Sequence, residues 1–566
     1  MSSEPVAQSR AIQFAAVEGA ADLFTPDFVR FLTHLNGKFT PAIRELRRKR
    51  AEVLKRAHAG DQPRQLPLSG AAAGEWRVAG LPAELKKPGI EISGPASVTG
   101  MFINALNPGP DGVRAEGDLD DDEDSAGHRF EDTVRAAWNR KRAIERTLTY
   151  TDEKKGKTYR ISEGELPFFM HRERGIHLDE PDVTIGGQPV PASILGAALT
   201  LFHPGRAHVE RGQGIYFYLP KLESAEEARF WRDFFQTSQE QVPFLKNAVI
   251  RAVLLIESLP AAYQMEEMLF ALGPYAAGLN AARWDFKASI LEFVMNDPAS
   301  VWPDRFGVDI KTTDFLANIF RRLVAVCLKR GGVPIGGMAT ALPSKDDEVN
   351  RAAAASIRAD KEWEAHQGFL RGWVAHIFHM KTAGDPFRQL HGSGWKPTAE
   401  MSKPENYPVQ IGVPAGPITL GGTRRNARML VEYLEGWLNG RGAKGIDSLA
   451  GKPGIHPALM EDLATARISV AQIAQRIRHH VRCTDSADVH DFALAKRLLQ
   501  EETQDIIDRL HGAPADEDNA GAEERYRKAC KIALKWVQNY VNLDFRSLGS
   551  YTRRQLDEIA GRPDAF

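Results

Sequence analysis

The sequence has few cysteines, no excess of charge of either sign and no long uninterrupted apolar run. Its three cysteines, Cys327, Cys483 and Cys530, are far apart, which argues against a disulfide framework or a thiolate zinc site. Lys and Arg (73) nearly balance Asp and Glu (74), so overall charge does not indicate a nucleic-acid or membrane partner. No apolar stretch is long enough to span a bilayer, and the N-terminus lacks a signal-peptide pattern. We therefore expect a cytoplasmic protein that binds neither nucleic acid nor membrane.

The 566 residues exceed what one hydrophobic core usually serves, and their patterns divide into four regions. Residues 1–90 begin with helical signals, such as "TPDFVRFLTHLNGKF", and end in a connection rich in Pro and Gly. Residues 91–380 alternate short apolar runs with helical segments. Residues 381–420 read as an irregular connection, and residues 421–566 as a separate helical domain.

The alternation of strands and helices in the second region predicts a parallel sheet. About eight such units in this length fit an α/β fold of the (β/α)₈ barrel type. An open doubly wound sheet is the alternative, although no Gly-x-Gly-x-x-Gly motif follows the first strand. The predicted strands are 101–106, 166–171, 214–220, 248–258, 276–281, 333–339 and 373–378, with a weak one at 307–310.

Polar residues lie at or just after the ends of four predicted strands, where a barrel of this type carries its active site. They are Arg172, Lys221, Glu257 and Asp285. Glu257 and Asp285 are 28 residues apart, close to one βαβ unit, so they can end neighbouring strands. Two adjacent carboxylates repel each other unless a cation lies between them, and Mg²⁺ suits such ligands. The alternatives are a helix cap for Glu257 and an ion pair with Arg283 for Asp285.

The stretch "ALMEDLATARIS" (458–469) places Asp462 directly before an apolar helical pattern. Taken alone, this pattern favours a helix N-cap, because the carboxylate accepts N–H groups of the first turn. A carboxylate in this position can also act as a general base. The two roles are compatible.

Several stretches together resemble the malate synthase family, nearest its shorter isoform A. They include "MFINALNPG", "RERGIHLDE", "GIYFYLPKLES", "AGLNAARWD", "GGMATALPSKDDE" and "LMEDLATARIS", and they cover most of the chain in the family's order. The resemblance implies a TIM barrel with an N-terminal helical clasp and a C-terminal helical domain that closes the site. It also implies a Mg²⁺-dependent condensation of acetyl-CoA with glyoxylate and water, giving malate and CoA in the glyoxylate bypass.

The resemblance assigns roles residue by residue. Glu257 and Asp285 match the metal ligands, Arg172 matches the catalytic arginine, and Asp462 matches the catalytic base. Arg172 would stabilise the enolate oxygen formed when Asp462 removes a proton from the acetyl methyl group. The segment that holds glyoxylate, partly through backbone N–H groups, corresponds to Ala282, Arg283, Trp284 and Asp285.

Two departures from the family concern substrate binding. Ala282 stands where relatives usually have Gly, which carries a cost only if this backbone requires a positive φ. The loop 368–378 is divergent, and Ile377 replaces a proline that helps to frame the CoA adenine in relatives. These departures motivate a second hypothesis, a related acyl-CoA lyase or synthase that uses another 2-oxo acid. A third is a non-catalytic homologue.

The acidic segment "GDLDDDEDSAGHRF" (117–130) can be aligned with the family in two registers. One register places Asp118 and Asp120 near the metal, behind its ligands, and fits the family pattern best. The other places Glu123 and Asp124 there. A solvated acidic loop without a metal role is the remaining interpretation.

Overall fold

The centre of the molecule is a closed barrel of eight parallel strands, each hydrogen-bonded to the next along the chain and the last to the first. The strands are β1 (Gly89–Gly94), β2 (Gly117–Asp121), β3 (Phe168–Arg172), β4 (Ile215–Leu219), β5 (Ile250–Ile256), β6 (Ala276–Ala281), β7 (Val333–Ala339) and β8 (Arg371–Val374). This confirms the (β/α)₈ barrel and excludes the open sheet. The computed structural model describes residues 12–65, 69–153, 156–446, 457–511, 521–545, 551 and 553–561.

Helices surround the barrel and form the C-terminal part of the chain. The helices before and around the barrel are Ala20–Leu23, Pro26–His58, Gly70–Ala73, Thr99–Leu106, Phe130–Ile144, Ala192–Phe202, Pro204–Glu210, Ala225–Gln241, Leu259–Ala262, Met265–Leu272, Arg283–Phe293, Asp314–Arg330, Asp347–His366 and Met380–Gly392. The later ones are Leu420–Leu438, Leu463–Arg478, Phe492–His511, Ala522–Val541 and Arg553–Gly561. Small antiparallel sheets join Ile12–Phe14, Asp179–Ile185 and Gln188–Pro191; Thr149–Asp152 and Lys157–Arg160; and Lys444–Ile446 and Leu459–Glu461.

Two of the predicted barrel strands are wrong, and two real ones were missed. The run 101–106 lies in the helix Thr99–Leu106, since a short buried apolar run does not distinguish helix from strand. The weak candidate at 307–310 is not a strand, because it runs from the end of the 3₁₀ turn Arg305–Gly307 into an irregular segment. The true strands β1 and β2 contain buried acids, Glu91 in "GIEISG" and the aspartates of "GDLDD", and therefore lack the apolar pattern of a strand.

The N-terminal helix Pro26–His58 is longer than its sequence signal at 25–39 indicates. Thr25 caps it by accepting the Phe28 N–H at 3.3 Å. Its basic stretch forms ion pairs with the barrel side, including Lys49 with Glu226 at 2.6 Å. The basic residues therefore fasten this helix to the barrel instead of forming a free cationic patch.

The connection predicted as irregular at 381–420 begins with a helix, Met380–Gly392, which contains Pro386. The rest of this region holds only short 3₁₀ turns, at Ala399–Ser402 and Pro404–Asn406. The irregular structure predicted for this region is therefore wrong for residues 381–392, which are helical.

The helix Leu463–Arg478 docks the C-terminal helices onto the barrel loop that follows the helix Arg283–Phe293. Gln475 accepts the Trp302 N–H at 3.1 Å, and the buried Arg476 pairs with Asp304 at 2.8 Å. These contacts hold the last turn of this helix against the loop, while its first turn lies at the barrel mouth. In the described part of the chain, no helix combines the length and apolarity that crossing a membrane requires.

Candidate active site

A cavity of about 470 Å³ lies at the C-terminal ends of the barrel strands. Barrel residues and the first turn of the helix Leu463–Arg478 both line it. Of the residues predicted from sequence, Arg172, Ala282, Arg283, Trp284, Asp285 and Asp462 line this cavity. A larger groove of about 810 Å³ lies outside the barrel, beside the N-terminal helix, and none of the predicted residues line it.

Three buried carboxylates form a tight cluster at this barrel mouth. Asp124 follows β2, Glu257 follows β5, and Asp285 lies in the first turn of the helix after β6. One oxygen of each lies within 4.8 Å of the others, a spacing that can hold a metal ion. The structure therefore brings Glu257 and Asp285 together, as the strand-end argument predicted.

Lys221 places its ammonium group among these acids. Its Nζ lies 3.1 Å from Asp124 Oδ1 and 3.3 Å from Glu123 Oε2, and it also contacts Asp285. Its backbone N–H donates to Glu257. Lys221 has a φ of 55°, a strained conformation for a residue other than glycine, and such strain is common at functional sites.

The cluster carries more negative charge than its lysine balances. Burial, reinforced by Asp285 and Asp124 and partly offset by Lys221, raises the pKa of Glu257 to about 7. Burial also opposes ionisation of Asp124, but Lys221 and Arg172 outweigh it and lower the pKa of Asp124 below its ordinary value. Within the described residues, Glu257 Oε2 has no hydrogen-bond partner. An added cation would relieve this imbalance.

Arg172 ends β3 and is 3% exposed. Its Nε and Nη2 donate to the two oxygens of Asp121, at 2.7 and 2.6 Å, and its Nη1 donates to Asp124 at 3.0 Å. Its guanidinium carbon also lies 5.7 Å from the centre of the Trp373 ring. These contacts use three of the five guanidinium donors and fix the group at the cavity wall.

Asp462 both caps a helix and faces the cavity. Its Oδ1 accepts the N–H groups of Ala464 and Thr465, at 3.0 and 3.3 Å, and the Thr465 hydroxyl completes a capping box. Because both bonds use Oδ1, capping does not occupy Oδ2. Burial, together with Asp124 and Asp285 and against Arg172, raises the pKa of Asp462 well above its ordinary value.

The segment 282–285 forms the start of the helix Arg283–Phe293. Ala282 has a φ of −84°, so the change from the family's Gly carries no backbone cost. No side chain among the described residues caps this helix, and its first N–H groups have no partner within the helix. Arg283 pairs with Asp360 at 3.0 Å and with Glu364, so the alternative ion pair with Asp285 is wrong.

The acidic segment follows β2 into the cavity in the second of the two registers. Asp118 and Asp120 alternate along β2 with Leu119, which faces the barrel interior, so their side chains point toward the surrounding helices. The structure therefore does not bring Asp118 or Asp120 to the cluster. It brings Asp124 into the carboxylate cluster and places Glu123 beside Lys221.

The divergent loop 368–378 contains β8 and the start of a 3₁₀ turn, Ile377–His379. Ile377 packs half-buried against an apolar cluster that includes Ile90 and Val374. Ile377 is not among the residues that line the cavity, whereas Trp373 of the same loop is.

Two residues at the site were not assigned a role from sequence. Lys221 had a usable signal, because it follows a predicted strand at the mouth of the barrel. Arg467, whose Nη1 lies 3.1 Å from Asp285 Oδ1, had none. It comes from the C-terminal helical region, and only the docking of that region brings it to the barrel.

Comparisons with known proteins agree along nearly the whole chain. A family model for the malate synthase TIM-barrel domain matches residues 168–406, and one for the malate synthase C-terminal domain matches residues 417–553. The malate synthase of Streptomyces clavuligerus is 35% identical, over 98% of this chain and 99% of the relative. Malate synthase A of Escherichia coli K12 is 33% identical, over 94% and 96%. This chain belongs to the malate synthase family.

Proposed function

We propose that the protein is a Mg²⁺-dependent malate synthase that condenses acetyl-CoA with glyoxylate and hydrolyses the product to malate and CoA. We further infer that it acts in the cytoplasm, in the glyoxylate bypass, and the three unpaired cysteines suit such a reducing compartment. The observation that carries the proposal is one cavity that combines a carboxylate cluster with Arg172 and Asp462.

The residues present fit a magnesium site. Asp124, Glu257 and Asp285 offer the hard oxygen ligands that Mg²⁺ prefers, and Glu257 has one buried oxygen without a hydrogen-bond partner in the described part of the chain. Bound there, Mg²⁺ would supply the positive charge that holds glyoxylate and polarises its aldehyde. We assign Glu257 and Asp285 as ligands and add Asp124 as a third acid of the site.

The start of the helix Arg283–Phe293 provides a place for the glyoxylate carboxylate. The first N–H groups of a helix lack internal partners and carry partial positive charge, so they bind anions. Residues 282–285 line the cavity beside the acidic cluster. Glyoxylate would therefore be held between these N–H groups and the cation.

Asp462 and Arg172 perform the proton and charge steps. Asp462 removes a proton from the acetyl methyl group, and its raised pKa makes the ionised form a stronger base than an ordinary aspartate. The unused guanidinium donors of Arg172 stabilise the charge that develops on the thioester oxygen. The resulting carbon nucleophile bonds to the aldehyde carbon of glyoxylate, the π electrons of the aldehyde move to its oxygen, and that oxygen takes up a proton to become the hydroxyl of malate. Water then attacks the thioester carbonyl, and CoA leaves as its thiol.

A thiol-release assay tests this function. Purified protein with acetyl-CoA, glyoxylate and Mg²⁺ should release CoA thiol, and malate should appear in equal amount. Asp462→Asn should lower turnover by about 10²- to 10⁴-fold. Mg²⁺ should still raise the melting temperature of this variant. Absence of thiol release by the wild type, or full turnover by the variant, would refute the proposal.

A 2-oxo acid with a second carboxylate is an alternative substrate, favoured by two buried cations that line the same cavity. Lys287 donates to the Val308 carbonyl at 2.5 Å, and burial, with Arg283 nearby, lowers its pKa to about 7. Arg305 Nη2 lies 3.7 Å from Glu461 Oε2 but has no hydrogen-bond partner among the described residues. A faster rate with oxaloacetate than with glyoxylate in the thiol assay, lost in Lys287→Met, would favour this alternative.

A further inference from the structure

Arg467 joins the base-bearing helix to one of the carboxylates at the barrel mouth. It lies in the helix Leu463–Arg478, which Asp462 caps. Its Nη1 lies 3.1 Å from Asp285 Oδ1, and its Nε donates to Glu292 Oε1 at 2.8 Å. Asp285 and Glu292 lie near opposite ends of the helix Arg283–Phe293, so one arginine hydrogen-bonds to both ends of that helix.

A third element completes this contact. The hydroxyl of Tyr540, in the helix Ala522–Val541, donates to Glu292 Oε1 at 2.8 Å. Glu292 is 5% exposed and Tyr540 is fully buried, so solvent has little access to the hydrogen bond between them. The orientation of Arg467 is therefore set by the packed C-terminal helices.

The two oxygens of Asp285 consequently have different partners. Oδ1 accepts from Arg467, while Oδ2 contacts Lys221 within the carboxylate cluster. A carboxylate that binds metal through one oxygen needs a donor on the other to hold its orientation. Mg²⁺ is sensitive to that orientation because it requires nearly ideal octahedral geometry, whereas Ca²⁺ accepts irregular geometry.

We propose that Arg467 is a positioning residue that holds Asp285 with Oδ2 toward the cation site and so sets the affinity and selectivity for Mg²⁺. This inference rests on the proposed function in taking Asp285 as a metal ligand. The inference adds a role for the docked C-terminal helices. Through Arg467 they orient the metal ligand Asp285, and the same helix carries the base Asp462 at its start.

The test compares Arg467→Met with a matched control, Arg478→Met. Arg478 lies in the same helix and also bridges the same parts of the molecule, donating to Asn296 at 2.6 Å and to the Val541 carbonyl at 2.8 Å. Within the described part of the chain, its hydrogen bonds go to Asn296 and Val541 and not to Asp285. Both variants should lower the melting temperature of the metal-free protein. In calorimetric titrations, only Arg467→Met should lower Mg²⁺ affinity, by about 10- to 100-fold, and it should lower Ca²⁺ affinity less.

Two further variants separate the effect of Arg467 on the orientation of Asp285 from its effect on the stability of the fold. Arg467→Lys should recover part of the Mg²⁺ affinity, since an ammonium group can donate to one oxygen of Asp285. Glu292→Gln should lower the melting temperature but keep Mg²⁺ affinity within a few-fold of the wild type. If Arg467→Met does not fold, these two variants carry the test through the same titrations.

The outcomes distinguish this inference from the proposed function. Unchanged Mg²⁺ affinity in Arg467→Met, with binding lost in Asp285→Asn, would overturn the positioning role and leave the metal site standing. Normal Mg²⁺ affinity in Asp285→Asn would instead remove the metal site itself. An equal loss of Mg²⁺ and Ca²⁺ affinity in Arg467→Met and Arg478→Met would reduce Arg467 to a docking contact.

Discussion

Two buried charge clusters, both of which contain acids from strand β2 or the turn after it, have different surroundings. The inner cluster lies at the barrel mouth and consists of Glu123, Asp124, Lys221, Glu257 and Asp285. The outer cluster lies between the barrel and its helices and consists of Asp120, Asp122, Arg140, His171, Glu173 and His208. Strand β2 and the turn after it carry acids of both clusters. Strand β3 contributes His171 to the outer cluster and Arg172 to the cavity wall.

The outer cluster is a closed network around Arg140. Its guanidinium reaches Asp120 at 2.6 Å, Asp122 at 2.9 Å and Glu173 at 3.1 Å. Burial, against the opposing charge of Arg140, raises the pKa of Asp120 to about 7. All these groups are at least 95% buried. None of these groups lines the cavity at the barrel mouth, so we expect bound protons, and not an ion from solution, to reduce the excess negative charge of this cluster.

The inner cluster has a similar excess of acid but faces a cavity. Asp124 and Asp285 line that space, where a cation from solution can reach them. Both clusters are rich in acids, so acidic residues alone do not support the proposed metal site. The inner cluster differs from the outer one in two respects. A cation from solution can reach it through the cavity, and its basic residue is a lysine, whose charge a divalent ion can replace.

Substitution of the basic residue in each cluster is expected to have the largest effect on stability. Arg140→Met would leave Asp120, Asp122 and Glu173 without their counter-ion, and we expect a loss of about 3–5 kcal/mol of stability. Added Mg²⁺ should not restore it. Lys221→Met should also lose stability, but Mg²⁺ at 100 times its dissociation constant should return about 2.7 kcal/mol.

Urea unfolding with and without Mg²⁺ measures both variants, and the wild type gives the reference for metal binding. Rescue of Arg140→Met by Mg²⁺ would show that the outer cluster also admits an ion. Failure of Mg²⁺ to stabilise Lys221→Met would show that the inner cluster does not exchange its cation. Either result would remove the distinction between the clusters.

The comparison also explains what could be predicted from sequence. Strands β3 to β7 are short apolar runs, so their positions and the carboxylates at their ends were predicted, including Glu257 and Asp285. Strand β1 was missed because Glu91 is buried inside the barrel, where Arg371 and Tyr218 hydrogen-bond to it. A charge satisfied by residues far along the chain leaves no local signal.

The acidic segment shows the same limit more sharply. Its sequence identifies a group of acids but does not state which of them lie on a strand. Since neighbouring side chains on a strand point to opposite faces, the error in register moved the predicted pair from the cavity to the outer layer. The chain turns after Asp121, whose carboxylate accepts the N–H groups of Glu123 and Ser125, and this turn carries Asp124 inward.

The outer cluster should make stability depend on pH through its histidines. Burial, with Arg140 near one and His171 near the other, lowers the pKa of His171 and of His208 to about 3. Between their ordinary value of 6.5 and about 3, the unfolded chain binds protons that the folded chain does not. Their contribution to stability is therefore complete above pH 6.5 and falls as the pH is lowered.

Each such histidine contributes a slope of about 1.4 kcal/mol per pH unit in the middle of this range. His208→Gln should remove one of these contributions, because Gln does not titrate and its amide can still hydrogen-bond to His171. Urea unfolding of both proteins from pH 6 to pH 4 measures the slopes. Equal slopes would mean that His208 already carries a proton in the folded protein, and the outer cluster would then not be closed to added charge.

The smallest expected effect on stability is that of a substitution at Asp118. Asp118 belongs to one of the two predicted registers of the acidic segment and Asp124 to the other, so variants of the two residues test which register is correct. Asp118 is 1% exposed, and burial, with Asp120 and against Arg140, raises its pKa well above its ordinary value. A raised pKa favours the protonated form, so this group contributes stability at low pH that is lost as the pH rises. Asn resembles the protonated acid, and Asp118→Asn should therefore match or exceed wild-type stability at pH 7, by at most about 1 kcal/mol.

Mg²⁺ affinity gives the second measurement on this variant, because Asp118 lies on the outward face of β2. Asp118→Asn should bind Mg²⁺ as the wild type does, whereas Asp124→Asn should bind it at least tenfold more weakly, since it removes a carboxylate from the inner cluster. A tenfold loss of Mg²⁺ affinity in Asp118→Asn would show that the outward face of β2 influences metal binding. The two clusters would then not be independent of each other. Equal affinity in all three proteins would instead remove Asp124 from the site and leave Glu257 and Asp285 to hold the ion.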